Sequence, residues 1–355
     1  MNLKPSTVVV ALSGGVDSAL AAALLKEWGW EVHGLHFLLP ASPAKRKAKL
    51  ASSERIAKYL GVGIAVLNLE DAFDELVIEP FVDSYIQGLT PNPCVQCNQV
   101  IKFDQLLQYA RANKIQYIAT GHYAKIKRPE GKSVELWRGK DKNKEQTYFL
   151  HRLHQSHLLR TILPLGETSK RKARDLAAKL GLPGASEPES QEICFLPDED
   201  YRLLLETRRG LGIARSGDII DREGRKVGEH LGTYRYTIGQ RHGLGVASPR
   251  PYYVMEIRPE ENQVIVGRKE ELFSSHVEAE SFHWSAGRPS QNGVRVTAQV
   301  RYRHRAAPGR LDVVSPQEVR FSFDEPQWAI TPGQALVCYE GEKVLGGGWI
   351  KKAQG

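Results

Sequence analysis

The chain has 355 residues, enough for two or three domains of about 150 residues and at least one large core, which excludes a small disulfide-stapled scaffold. Charged residues make up 25% and apolar residues 41%, near globular averages, and no apolar run reaches the roughly 18 to 20 residues of a membrane span, so no membrane association is expected. The 49 basic residues against 41 acidic ones leave a net charge of +8, an excess that suits a polyanionic partner and equally suits plain solubility.

The N-terminal segment Met1 to Leu12 lacks the longer apolar region and small-residue cleavage site of a secretory signal, so a cytoplasmic location is expected. Four cysteines occur, Cys94, Cys97, Cys194 and Cys338. That is too few for a secreted framework, and the Cys94/Cys97 spacing points to chemistry or metal. Along the first half, strand patterns alternate with helical ones. A strand over Thr7 to Leu12 precedes a helix over Asp17 to Trp28, then a strand over Glu31 to Leu38, a helix over Lys47 to Leu60 and a strand over Ile64 to Asn68. Gly29 and Gly61 stand where helices stop, and the basic cluster Lys45-Arg46-Lys47 reads as a solvated helix start. A helix over Asp104 to Asn113 leads to the apolar run Ile115 to Ala119. This rhythm predicts an α/β domain built on a doubly wound parallel sheet. After about residue 210 short glycine-bounded strands take over, which predicts two further β domains. The expected division is 1–205, 206–273 and 274–355, the last a β-barrel.

The first strand runs into Ser13-Gly14-Gly15-Val16-Asp17-Ser18 and then directly into a helix. Two glycines let backbone approach an anion closely, and a new helix aims free N–H groups at it, so this is a phosphate cradle. Neither a Walker A lysine pattern nor G-x-G-x-x-G is present. Pro91, Pro93 and Pro197 predict non-helical loops around Cys97 and Cys194, whereas Cys338 in the alternating run Ala335 to Tyr339 reads as core. Arg301, Arg303 and Arg305 alternate, which on a strand would put three guanidiniums on one face, suited to phosphates.

Ser13 to Ser18 resembles the signature of the PP-loop enzymes, which cleave ATP between its α- and β-phosphates and adenylate a substrate. Further segments resemble, in order, the motifs of one PP-loop family, the tRNA-specific 2-thiouridylases: Thr90 to Asn98, Ala119 to Tyr123, Asn143 to Leu150, Ser190 to Phe195, Thr237 to Arg241, Arg301 to Arg303 and Thr331 to Gln334. The resemblance implies that ATP adenylates the C2 oxygen of the wobble uridine and that a persulfide sulfur replaces that oxygen. It implies Cys97 as nucleophile and Cys194 as persulfide carrier. Ala11, Leu12, Ser13, Gly14, Gly15, Val16, Asp17 and Ser18 would meet the ATP phosphates, and Phe37 and Gly121 the adenosine. Asn92, Pro93 and Cys94 would lie beside the target base, and His122, Lys144, Glu145, Gln146, Arg301, Tyr302 and Gln334 would contact tRNA. ATP and Mg²⁺, a wobble-uridine tRNA, a sulfur-relay donor protein and a monomeric chain are the implied cofactors, partners and state.

The family's commonest form has aspartate where this chain has Cys94, and methionine where it has Phe37. Two readings of the three thiols therefore stand open. In one, Cys97 and Cys194 end the reaction as a disulfide with Cys94 auxiliary. In the other, Cys94, Cys97 and Cys194 hold an iron–sulfur cluster. Outside this family, a PP-loop ligase acting on a small molecule leaves Cys97 and Cys194 unexplained, and a silent tRNA-binding or iron–sulfur protein is the reading from another class. Residues 39–50, Leu39 to Leu50, depart from the family's acidic, cysteine-containing stretch and carry no assigned role.

Overall fold

A computed structural model of the chain describes residues 3–184, 193–196, 200–285, 287–288 and 291–354. The elements of the first part are β1 (Thr7–Ala11), α1 (Val16–Glu27), β2 (Glu31–Leu38), α2 (Pro43–Leu60), β3 (Ile64–Asn68), α3 (Glu70–Phe73), α4 (Glu79–Ile86), α5 (Pro93–Gln96), α6 (Asp104–Ala112) and β4 (Tyr117–Ala119). After them come a hairpin of β5 (Ala124–Lys127) and β6 (Glu135–Arg138), the single-turn helices α7 (Thr147–Leu150) and α8 (Gln155–Leu158), β7 (Thr161–Ile162), α9 (Lys170–Lys179) and α10 (Tyr201–Arg209). Strands β3, β2, β1, β4 and β7 lie in that order, every pair parallel. Alternation along β1 explains why both faces are covered. Val8 and Val10 pack with Leu20 of α1, Ile56 of α2 and Ala173 of α9, whereas Val9 packs with Leu106 and Ala110 of α6 on the other face. This is the expected doubly wound sheet.

Two local expectations need correction. Helix α2 begins at Pro43, four residues before the expected Lys47, because Ser42 caps it by accepting from the Lys45 backbone N–H and Pro43 occupies the first turn. Cys94 and Cys97 lie on helix, not on loops. Pro93 opens α5, a π-helix runs from Cys97 to Phe103, and α6 continues without a break. Proline is excluded from a helix interior but favoured at its first position, where its missing N–H costs nothing. Pro197 and residues 190–192, which carried part of the Cys194 expectation, lie outside the described residues.

Strands β8 (Gly217–Ile220), β9 (Lys226–His230), β10 (Tyr253–Arg258) and β11 (Gln263–Gly267) form a second sheet in the order β10-β11-β8-β9. The remaining strands are β12 (Phe273–Trp284), β13 (Val294–Gln299), β14 (Ala307–Ser315), β15 (Glu318–Trp328), β16 (Ala335–Glu340) and β17 (Lys343–Gln354). They run antiparallel in the order β12-β15-β14-β13-β16-β17, and β12 pairs again with β17, which closes a six-stranded barrel. Closure leaves these strands no free edge. Cys338 is fully buried inside, as expected. Arg301, Arg303 and Arg305 are not on a strand: β13 ends at Gln299 and the chain turns, with Gln299 Nε2 donating to the carbonyls of Arg301 (3.1 Å) and Tyr302 (2.7 Å). The three arginines therefore do not share one face of a strand, contrary to expectation.

The barrel is welded to the first sheet's core. The β5–β6 hairpin adds to β17 through Lys343 and Trp137, and one apolar cluster holds Val9, Phe103 and Tyr148 together with Ala335, Val337 and Val344. The Tyr148 hydroxyl donates to the Ala335 carbonyl (3.0 Å) and accepts from its N–H (3.1 Å). His151, fully buried at this joint, contacts the Tyr148 carbonyl through Nδ1 (2.7 Å), and burial pushes its pKa down to about 3. Burial, then the neighbouring His154, likewise lowers His283 to about 4. Rings held neutral in the folded chain but free to protonate in the unfolded one destabilise the fold as pH falls below about 6.5, until the folded-state values are reached. Thermal melts between about pH 7 and pH 5 are accordingly expected to show a falling Tm, with a shallower slope in His151→Gln. An unchanged slope in that variant counts against His151 as a contributor.

Candidate active site

The cradle is built from backbone and hydroxyls. Gly14 has φ +82°, a value that favours glycine, and a Cβ there would sit 2.9 Å from the Lys49 carbonyl oxygen. Ser18 Oγ donates to the Gly15 carbonyl (2.8 Å) and accepts from the Ser13 N–H (3.2 Å). From α2, Ser52 Oγ donates to the Gly14 carbonyl (2.9 Å) and Ser53 Oγ to the Leu12 carbonyl (3.0 Å). Gly121 packs so closely beneath the start of α1 that a Cβ there would lie 2.7 to 2.9 Å from backbone atoms of Asp17 and Ser18. The Asp17 carboxylate accepts from the Tyr123 hydroxyl (2.7 Å) and the Lys170 ammonium (2.5 Å), which ties α9 to the cradle.

In front of the cradle is a cavity lined by Ala11, Leu12, Ser13, Phe37, Lys102 and Cys194, with Arg46 and Lys49 contributed by α2. Phe37 and its neighbours offer an apolar wall suited to a purine, and no carboxylate lines the cavity among the described residues. The once unassigned stretch 39–50 therefore supplies part of the cavity wall through Leu39, Pro40, Ala41, Arg46 and Lys49.

Cys194 is exposed at this cavity, and its flanking residues Ile193 and Phe195 pack into the apolar cluster that also holds Cys97, Ile101 and Phe73. Phe195 meets Phe73 (ring centroids 5.5 Å apart) and Phe81 (5.4 Å) edge-on. Thiols 97 residues apart in sequence thus lie in adjoining places, Cys194 at the cavity and Cys97 in the apolar cluster that holds the neighbours of Cys194. Cys97 is only 6% exposed, and burial pushes its thiol up to about 12, opposed by the ammonium of Lys102. Cys94 is exposed at its surface but crowded by protein, and that desolvation also raises it, with Lys102 again opposing.

The positions expected to meet tRNA fall into two groups. Gln334 Nε2 donates to the Thr90 carbonyl (2.8 Å) and the Thr90 N–H donates to Pro332 (3.0 Å), so the barrel turn grips the loop leading to Asn92, Pro93 and Cys94. Lys144, Glu145 and Gln146 precede α7, whose Phe149 lies against Tyr302 at 4.3 Å between ring centroids. Glu145 accepts from the Thr147 N–H, with burial raising its pKa, and Gln146 Oε1 accepts from the Tyr123 N–H (2.9 Å), so both are engaged internally. Arg301 lies 5.5 Å over the Trp328 ring. His122 Nδ1 lies 2.8 Å from Thr120 Oγ1, and burial, then Lys102, lowers its pKa to about 3, so the ring is neutral near pH 7. Sequence reasoning missed Ser52, Ser53, Tyr123, Lys170 and Lys102. Adjacent serines on an otherwise apolar helix face were a usable signal; the other three contacts are made across the fold.

Fold and site define an ATP-using PP-loop α/β domain with Cys194 at the cavity before its glycine loop and Cys97 in the adjoining apolar cluster, joined to two β domains. Family models match along the chain in the same order: a tRNA methyl transferase HUP domain over residues 6–198, a tRNA methyl transferase PRC-barrel domain over 208–268 and an aminomethyltransferase beta-barrel domain over 274–350. The chain is 45% identical to the tRNA-specific 2-thiouridylase MnmA of Geobacter metallireducens, covering 98% of this chain and 97% of that protein. It is 43% identical to the protein of that name from Geotalea uraniireducens (99% and 96%) and 45% identical to that from Carboxydothermus hydrogenoformans (97% and 97%). The chain belongs to the tRNA-specific 2-thiouridylase (MnmA) family.

Proposed function

We propose that this chain replaces the C2 oxygen of a tRNA wobble uridine by sulfur, using ATP for activation and a relay between Cys194 and Cys97 for the sulfur. The observation that carries the relay is the shared site: Cys194 lines the cradle's cavity, and the residues beside it pack with Cys97. The family models are described as methyl transferases, but thiols beside an ATP cradle suit sulfur transfer, and the relatives' name agrees with it.

In this reading the uridine C2 oxygen attacks the α-phosphorus of ATP and pyrophosphate leaves, making that oxygen a good leaving group. A donor protein leaves a persulfide on Cys194. Its terminal sulfur attacks C2 and AMP departs with the oxygen. The Cys97 thiolate then attacks the Cys194 sulfur, the sulfur–sulfur bond to the transferred atom breaks, and its electron pair remains on the base as the 2-thio group. A Cys97–Cys194 disulfide results, and an external dithiol must reduce it before the next turnover. The burial that raises the Cys97 thiol means its deprotonation depends on nearby positive charge. A magnesium ion bound with the nucleotide would offset the charge of the departing pyrophosphate. The roles of Asn92, Pro93, His122, Arg301, Tyr302 and Gln334 toward tRNA belong to this proposal, as do the three-domain division near residues 205 and 273, a monomeric state and a cytoplasmic location. No helix of the described residues is long and apolar enough to cross a membrane.

The cluster reading does not fit the donor set. Among the described residues, which include all three thiols, no three His, Cys, Asp or Glu side chains gather where they could hold a metal. Cys97 also faces apolar neighbours, while Cys94 is exposed. The test is anaerobic purification with iron analysis, followed by a thiolation assay on wobble-uridine tRNA. Cys94→Ala is expected to keep activity within about threefold of wild type, independent of iron. Loss of activity together with loss of bound iron in that variant would falsify the paired-thiol route.

A further inference from the structure

Lys102 stands five residues after Cys97. In an α-helix that separation turns a side chain by about 500°, leaving it roughly 140° away from Cys97, near the far side of the helix. The segment Cys97–Phe103 is a π-helix, whose i→i+5 hydrogen bonds stack the fifth residue above the first. The wider turn brings Lys102 to the cavity lined by Ser13 and Cys194 while Cys97 stays packed in the adjoining apolar cluster. Lys102 is half-buried, and none of the described residues forms an ion pair or hydrogen bond with its ammonium. Arg46, in the same cavity, is paired with Glu70. A half-buried ammonium beside the thiols, with no counter-ion among the described residues, is a standing preference for negative charge at that point.

We propose that Lys102 is a positioning residue for sulfur transfer: its ammonium, carried round by the π-turn, favours the Cys97 thiolate beside Cys194 and stabilises the negative charge that passes between the two sulfurs. This rests on the paired-thiol reading above. It assigns the phosphate side of the cavity to the cradle N–H groups and Lys49, and the sulfur side to Lys102. It also gives the π-helix a purpose, since regular α-helix would point this lysine away and leave the upward push of burial on the Cys97 thiol unopposed by it.

The test compares the full-length wild-type chain with Lys102→Met and Lys102→Arg. Each is treated with iodoacetamide at about pH 8, and alkylation of Cys97 is followed by peptide mass. A neighbouring cation worth about one pKa unit changes the thiolate fraction about tenfold. Lys102→Met is therefore expected to alkylate Cys97 about tenfold more slowly, and Lys102→Arg within about twofold of wild type. Single-turnover thiolation of tRNA should fall and recover in parallel. Wild-type alkylation rates in Lys102→Met, or an Lys102→Arg variant as slow as Lys102→Met, would overturn the proposal, the second by showing that shape and not charge matters. A wild-type chain that alkylates as expected yet makes no 2-thiouridine would sink the functional reading and leave the electrostatic assignment of Lys102 standing.

Discussion

Cys97→Ser and Cys194→Ser are each expected to lower 2-thiouridine formation at least about 1,000-fold, a loss of the size seen when a nucleophile is removed from an enzyme whose groups act as a unit. A hydroxyl can neither carry a persulfide nor close a disulfide, so the sulfur has no route to the base. Cys194 is exposed, and its substitution should leave the melting temperature unchanged. Cys97 is buried among apolar side chains, where a serine hydroxyl costs roughly 1 to 3 kcal/mol, so activity in that variant must be read beside a melt. Because activation precedes sulfur delivery, Cys194→Ser should still release pyrophosphate when given tRNA and ATP. Mass analysis of tRNA nucleosides from a deletion strain carrying each variant provides the measurement. Substantial 2-thiouridine with either thiol missing would remove the relay.

Gly121→Ala should cripple ATP use while leaving most of the molecule intact. The added methyl would meet the Asp17 carbonyl carbon at 2.7 Å, its oxygen at 2.8 Å and the Ser18 nitrogen at 2.9 Å, all backbone atoms that cannot rotate aside. Relief requires the first turn of α1 to move, and with it the N–H groups that face the phosphates. A displacement on the order of 1 Å at a positioning element costs about 100-fold in rate, and pyrophosphate release is expected to drop by about that factor. Gly14→Ala should act in the same direction for a second reason, since φ +82° strains any residue with a Cβ. Pyrophosphate release at the wild-type rate in Gly121→Ala would show that the cradle tolerates movement and that these contacts do not set its geometry.

The junction between barrel and parallel sheet gives these site variants a rigid background. Tyr148, Gln334 and Tyr302 join segments nearly 200 residues apart or more, or the barrel turn to α7, through buried or part-buried polar contacts and a ring contact. The loop that leads to Cys94 and Cys97 is therefore held from both sides. Cys94 itself is exposed at its surface but crowded by protein, and its raised thiol makes it a poor base near neutrality.

Local sequence was sufficient for the parallel sheet, the glycine-stopped helices and the glycine loop between β1 and α1. Each is set by contacts within a few residues: alternation along Val8, Val9 and Val10, a positive φ at Gly61, two glycines between a strand and a helix. The family resemblance singled out Cys97 and Cys194, and sequence alone placed Cys338 in the core. What local pattern read wrongly was the setting of these groups. Pro93 reads locally as a helix breaker although it stands at a first helical position, and alternation alone puts the three arginines on a strand that in fact ends at Gln299. Only the tertiary fold decided that Cys194 opens onto the cradle cavity, that Asp17 is held by Tyr123 and Lys170, and that Lys102 turns toward the thiols. Those outcomes depend on contacts between residues tens to more than a hundred positions apart and on one widened helical turn, neither of which leaves a periodic mark in the sequence.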